Sequence, residues 1–396
     1  MRRRDLLALS AAAGVSLTAG RLYAAPQASA RLLVVFLRGA YDAASAVPPI
    51  SSDLYVRSRP SIAIARPNAA DPLSATALNA DWGLHPALAP SLLPLWRKGQ
   101  IAFAPYAGTD DMTRSHFETQ DTIEMGQPVQ GGRDYRSGFM GRLAATLNGV
   151  QPIAFTDQVP LTFRSGRPIP NISTGAMGKP GLDARQAALI AEMYRGGDLG
   201  GTVTEGFRVD DQVYHALSKE MTAASRGAVS PKGFELSARR IGRLMQGQFN
   251  LAFLDVGGWD THVNQGAANG YLAGRLGELG RGLAGYADEL GDDAWRQSVV
   301  VVISEFGRTF KENGDKGTDH GHGSVYWVLG GGVSGGRILG DHGPLTDADL
   351  NQSRDYPVRI DYRALFGGLF ARMYGLDSRR LETIFPATAP RDFKLV

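Results

Sequence analysis

Leu251-Ala252-Phe253-Leu254 and Val299-Val300-Val301-Val302-Ile303 are apolar runs without polar alternation, the pattern of strands buried on both faces of a parallel sheet. Between them lie the loop Asp255-Val256-Gly257-Gly258-Trp259-Asp260-Thr261-His262 and a helical segment reaching about Leu290. The second run ends in Ser304-Glu305-Phe306-Gly307-Arg308-Thr309, and Gly317-Thr318-Asp319-His320-Gly321-His322-Gly323 follows. Three of the seven histidines therefore sit just past strand ends or in the loop that follows. In open α/β sheets the strand carboxyl ends are where ligands bind.

Outward from this stretch, strands and helices alternate. Leu32 to Leu37 reads as the first core strand and breaks at Arg38-Gly39-Ala40-Tyr41-Asp42. Ser61 to Ala65 is expected as a short strand in a proline-punctuated excursion, and Pro86 to Trp96 as a helix. Ile101 to Ala104 predicts a strand that leads into Thr113-Arg114-Ser115-His116-Phe117, at the head of a helix reaching Met125. Gly138 to Leu147, Ala184 to Tyr194 and Val209 to Ala224 read as helices, Pro152 to Phe155 and Leu161 to Phe163 as strands, and Gly233 to Met245 leads back into the central stretch. Residues 151–230 carry no chemical constellation and read as an insertion or cap. Val325 to Leu329 is a strand, Gly330 to Gly336 a turn after it, and Asp361 to Tyr374 a helix. The fold class is α/β, a mostly parallel sheet flanked by helices.

The totals describe an ordinary globular chain with 43% hydrophobic and 20% charged residues. There is no cysteine, so any metal must be held by oxygen and imidazole nitrogen. Arg2-Arg3-Arg4-Asp5-Leu6-Leu7 and the Ala-rich run to Ala19 resemble a twin-arginine export signal, too short and too weakly apolar for a membrane span. The expected division is a signal over residues 1–30 and one domain over 31–396, in the periplasm or outside the cell. Loss of residues 1–30 removes four arginines and one aspartate, which takes the net charge of +3 to about zero. The basic balance is then no argument for nucleic-acid or membrane binding.

Asp260 and His262 alternate along an extended segment, so their side chains point the same way and suit one divalent ion. Glu305 ends a buried strand and needs a metal or a partner, for which Arg308 stands three residues on. Asp319, His320 and His322 lie in a glycine-rich loop where backbone can approach a ligand closely. Asp42 is either a ligand or the cap of its turn. Ser115, at a helix start, is either a nucleophile among free N–H groups or an ordinary N-cap. Arg114 suits an anionic oxygen or solvent. His85 reads as structural, His215 as exposed, and His342 as a loop histidine within reach of the site. The glycine cluster at 330–336 lacks the Gly-Lys-Ser/Thr ending of a phosphate loop, and no Gly-x-Ser-x-Gly elbow is present.

Taken together, the twin-arginine start, Arg-Ser-His-Phe, Trp-Asp-Thr-His, Ser-Glu-Phe-Gly-Arg-Thr and Gly-Thr-Asp-His-Gly resemble an exported bacterial domain-of-unknown-function family within the alkaline phosphatase/sulfatase-like superfamily. The resemblance runs from Leu32 to Pro386 and implies an alkaline phosphatase-like core. It implies metal ligands at Asp42, Asp260, His262, Glu305 and His320, with Asp319 and His322 beside them. It also implies a nucleophile among Thr113, Ser115 and His116, with Arg114 near. Phe306 stands where the superfamily has a metal-binding histidine. The implied activity is metal-dependent hydrolysis of phosphate or sulfate esters using zinc, manganese or calcium, on a small anionic or ester substrate. The alternative is a degenerate member that binds an anion, a glycan or a protein without turnover. Metal identity, substrate and oligomeric state are left open.

Overall fold

The computed structural model describes residues 30–173, 184–206, 233–340 and 345–396. The expected signal, the helix at 209–224, His215 and His342 lie outside them. Eight strands form one sheet: β1 (Arg31–Leu37), β2 (Ile101–Gly108), β3 (Pro152–Phe155), β4 (Leu251–Val256), β5 (Ser298–Ser304), β6 (Ser324–Leu329), β7 (Arg337–Ile338) and β8 (Ile360–Asp361). Their order is β8-β2-β6-β5-β1-β4-β3, with β7 also on β2. Only β6 among the described strands of this sheet runs against the rest. The sheet is thus mostly parallel, as the uninterrupted apolar runs require.

Helices cover both faces. Alternate residues of β1 point opposite ways: Leu33, Val35 and Leu37 join one core, Leu32, Val34 and Phe36 the other. The first core is closed by α3 (Ala89–Arg97), α7 (Phe234–Gly247) and the long α8 (Tyr271–Arg296), which breaks at Gly291. The second is closed by α4 (His116–Met125), α5 (Phe139–Thr146), α9 (Tyr362–Tyr374) and α10 (Ser378–Ile384). Two short helices, α1 (Ala43–Ala46) and α2 (Asp53–Ser58), follow β1, and α6 (Ala184–Met193) lies in the segment after β3.

Three segments differ from expectation. Ser61 to Ala65 is irregular, because its backbone is spent on turns between the flanking prolines. Leu161–Phe163 is one 3-10 turn, buried against Gly138, where any side chain would strike the Leu161 carbonyl. Pro152–Phe155 pairs in register with β4, so it is an edge strand of the main sheet and the insertion begins only after it.

This topology fixes where chemistry collects. β5, β1 and β4 are adjacent and parallel, and Leu37 lies level with both Ser304 and Val256. Their carboxyl ends release Glu305, Gly39 and the Asp260 loop at one edge. Running the opposite way, β6 begins there after His320 and His322, and β2 ends there before α4.

Candidate metal centre

Glu305 is fully buried at the end of β5. Its Oε1 accepts from His116 Nδ1 at 2.7 Å, from the Gly39 amide at 2.8 Å and from Gln120 Nε2 at 2.9 Å, and its Oε2 accepts from Ser304 Oγ. His116 and Gln120 are one turn apart on α4 and so reach the same carboxylate. Burial alone pushes the Glu305 carboxyl up, but these donors outweigh it and hold it below its usual range. Gly39 can stand there because it is glycine: its φ is +112°, and a side chain would meet the Asp260 amide at 2.8 Å.

The far nitrogens of the histidines face a common point. His116 Nε2 lies 2.9 Å from His320 Nε2, which lies 3.2 Å from His262 Nε2. Asp260 lines the same point, with Oδ1 2.8 Å from His262 Nε2 and 3.4 Å from His320 Nε2, and Oδ2 3.6 Å from His116 Nε2. The near nitrogens are anchored. A carbonyl only accepts, so His320 Nδ1, 3.0 Å from the Arg114 carbonyl, carries a hydrogen. His116 Nδ1 donates to Glu305 by the same reasoning. These tautomers, assigned from the partners, leave two Nε2 lone pairs aimed at each other across 2.9 Å. Such a pair is unfavourable unless a proton or a cation lies between. The Glu305 hydrogen bond raises the His116 pKa, while burial and the neighbouring His116 lower that of His320, so a proton between them would belong to His116.

His116, Asp260 and His320 form the one cluster of this kind among the described residues whose ligand atoms all lie within 4.8 Å of one another. The donor set fits a divalent ion: two imidazoles with fixed tautomers and a carboxylate, the histidines backed by a carboxylate and a carbonyl. His262 lies beside it between two acids, with Asp319 Oδ1 3.2 Å from Nδ1 and Asp260 on Nε2. Phe306 packs its buried ring against His116 and His320, with centroids 5.0 and 5.2 Å away. An apolar wall stands there in place of a further donor.

The other residues expected at the site are placed differently. Asp42 stays behind, buried in a two-bond ion pair with Arg59 (Oδ2–Nη1 2.5 Å, Oδ1–Nη2 3.0 Å) and further held by Ser45 and Gln265. Glu305 does not pair with Arg308, which donates instead to Asp260 Oδ1 at 2.6 Å. Asp260 is 43% exposed; burial pushes its carboxyl up, but Arg308 holds it below its usual range. Asp319 stands behind His262 and takes Asn313 Nδ2 at 3.1 Å. His322 is buried, its carbonyl accepting from the Gly307 amide, and is not one of the clustered ligands. Ser115 caps α4, accepting from the Glu118 amide. The Arg114 side chain is taken by Asp355 and Gln352, and its contribution to the site is its carbonyl. His85 is structural, accepting from the Ala87 amide and reaching the Ala267 carbonyl. The glycines of the 317–323 loop serve backbone packing rather than a ligand: a side chain on Gly317 would lie 2.2 Å from the His262 carbonyl.

Sequence reasoning missed Gln120, Arg59, Gln265 and Thr318. Only Gln120 leaves a readable signal, its spacing of four from His116.

The chain matches, over residues 29–385, the family described as "Protein of unknown function (DUF1501)". It belongs to that family. No match was found among curated proteins. Similar solved structures include a protein in the alkaline phosphatase superfamily from Vibrio parahaemolyticus (12% identity, 94% of this chain and 71% of that one, TM-score 0.42). The lipoteichoic acid synthase LtaP from Listeria monocytogenes is similar at 9% identity, over 82% of this chain and 68% of that one, with a TM-score of 0.38. Ps i-CgsB, solved in complex with k-i-k-neocarrahexaose, is similar at 10% identity, over 89% of this chain and 73% of that one, with a TM-score of 0.41. Among the described residues, no helix is long and apolar enough to cross a membrane.

Proposed function

We propose that this chain is an exported, metal-dependent hydrolase of phosphate or sulfate esters. The observation that carries the reading is the convergence of His116, His320 and Asp260 with each imidazole held by its other nitrogen. His116, His320 and Asp260 would hold the ion with three protein donors and leave room beside it for water or an ester oxygen, as catalytic rather than structural sites do. A divalent ion there supplies Lewis acidity and lowers the pKa of water. The chain's own groups do the rest. Glu305 and the Arg114 carbonyl orient the two imidazoles. His262, 40% exposed and aligned by Asp319, moves a proton at Nε2 between water and the ester. Phe306 closes the rear against solvent. Ser115 accepts from the Glu118 amide as the cap of its helix, and the attacking group in this reading is water. The basic N-terminal signature supports export to the periplasm.

A second reading, binding of an anionic ligand without turnover, is favoured by the same capped Ser115 and by Phe306 in a donor's place. Protein recovered from the periplasm, analysed for metal and assayed on aryl phosphate mono- and diesters and an aryl sulfate with zinc, manganese or calcium, separates the two. The hydrolase reading expects bound ion and turnover, with His262→Ala keeping the ion and losing about 100-fold or more in rate. Ion without turnover on any ester supports the second reading, and protein recovered only from the cytoplasm contradicts export.

A further inference from the structure

Deepening that reading, we infer that the site is built for a single divalent ion, because the chain supplies the second positive charge itself as the Arg308 guanidinium. The side chain of Arg308 is fully buried, although the carboxylate it grips, Asp260, is 43% exposed. Its Nη1 donates to Asp260 Oδ1, its Nε to Thr318 Oγ1 at 3.2 Å, and its Nη2 to the Thr318 carbonyl. Three of its nitrogens are thus engaged, and the charge is fixed beside the ligand.

Its support runs back into the core. Thr318 Oγ1 donates to Gln265 Oε1 at 3.1 Å, and Gln265 Nε2 donates to Asp42 Oδ2 at 2.7 Å. Asp42 is paired with the fully buried Arg59, which also donates to the Phe310 carbonyl at 2.7 Å and the Thr309 carbonyl at 2.9 Å. Arg59 therefore holds Arg308 from both sides: through Asp42, Gln265 and Thr318, and through the residues that follow Arg308 in the chain.

Donors and charge then agree. Asp42 has both oxygens in the Arg59 pair and Phe306 offers none, and among the described residues the ligand atoms of His116, Asp260 and His320 are the one group of three that converges. At the centre Arg308 meets Asp260 alone, while Glu305 is held by His116 and Asp319 by His262 and Asn313. The guanidinium thus stands against the one carboxylate of the cluster, where a second divalent ion would meet a fixed positive charge in a partly buried setting.

The test is native mass spectrometry of the metal-stripped full chain titrated with zinc, paired with calorimetric affinities for wild type, Arg308→Lys and Arg308→Met. The expected result is one zinc per chain, affinity nearly kept in Arg308→Lys, and affinity tightened about tenfold in Arg308→Met, where a nearby positive charge is gone. Two zincs of comparable affinity on the wild-type chain overturn this inference while leaving the hydrolase reading intact. Binding unchanged or weakened in Arg308→Met overturns the charge role of Arg308. No zinc at all overturns the metal reading of the site itself. Should Arg308→Met fail to fold, the wild-type stoichiometry still decides.

Discussion

Asp42 and Asp260 both follow the carboxyl ends of adjacent parallel strands, β1 and β4, yet only one is open to a ligand. Asp42 is 1% exposed and sealed by a guanidinium with two hydrogen bonds. Asp260 is 43% exposed, gripped on one oxygen by Arg308 and surrounded by three imidazoles. The same residue type at equivalent places in the sheet is sealed in the core in one case and left open at the candidate site in the other. What separates them is the partner each meets: Arg59 arrives from 17 residues downstream, His116 from the start of α4 and His320 from the loop before β6.

The sharpest way to break the contrast is Asp42→Ala. It strands the buried Arg59 and is expected to cost about 3–5 kcal/mol in denaturant unfolding, with the folded protein still binding its ion. A small cost, or lost ion with unchanged stability, would move Asp42 into the site. His320→Ala is expected to weaken zinc by more than about 100-fold, beyond what supporting residues cost, with little change in stability of the ion-free protein. Glu305→Gln keeps the shape but removes the charge behind His116, and about 10–100-fold weaker zinc is expected by calorimetry. Ser115→Ala sharpens the comparison least: about 1 kcal/mol of stability for a lost cap, with ester turnover unchanged. A collapse of turnover would restore Ser115 as nucleophile.

Much of this was legible before any coordinates. Strands buried on both faces announce themselves as unbroken apolar runs, so β1, β4, β5 and β6 needed only their sequences. That Asp260, His262 and His320 would meet followed from their lying just past strand ends or beside a strand start at one edge. What sequence could not carry was partner choice. Glu305 and Arg308 are three apart and invite pairing, but the chain turns sharply after β5. Gly307 packs under the Gly323 carbonyl and Arg308 swings to Asp260. Arg59, flanked by Ser58 and Pro60, looks like a surface residue, and nothing local says that it is buried on Asp42. His116 read as one of several candidates for nucleophile, and its place emerged only when α4 set Gln120 one turn behind it on the same buried carboxylate. Leu161–Phe163 was apolar enough for a strand, but it pairs with no strand among the described residues and closes into a 3-10 turn beside Gly138 at the start of α5.

The central claim is tested most directly by anomalous scattering from crystals of the zinc-loaded chain, measured on both sides of the zinc edge. The account predicts one peak per chain, bonded by His116 Nε2, His320 Nε2 and an Asp260 oxygen. A peak on Asp42 or His322, or none among the three residues at saturating zinc, would contradict it.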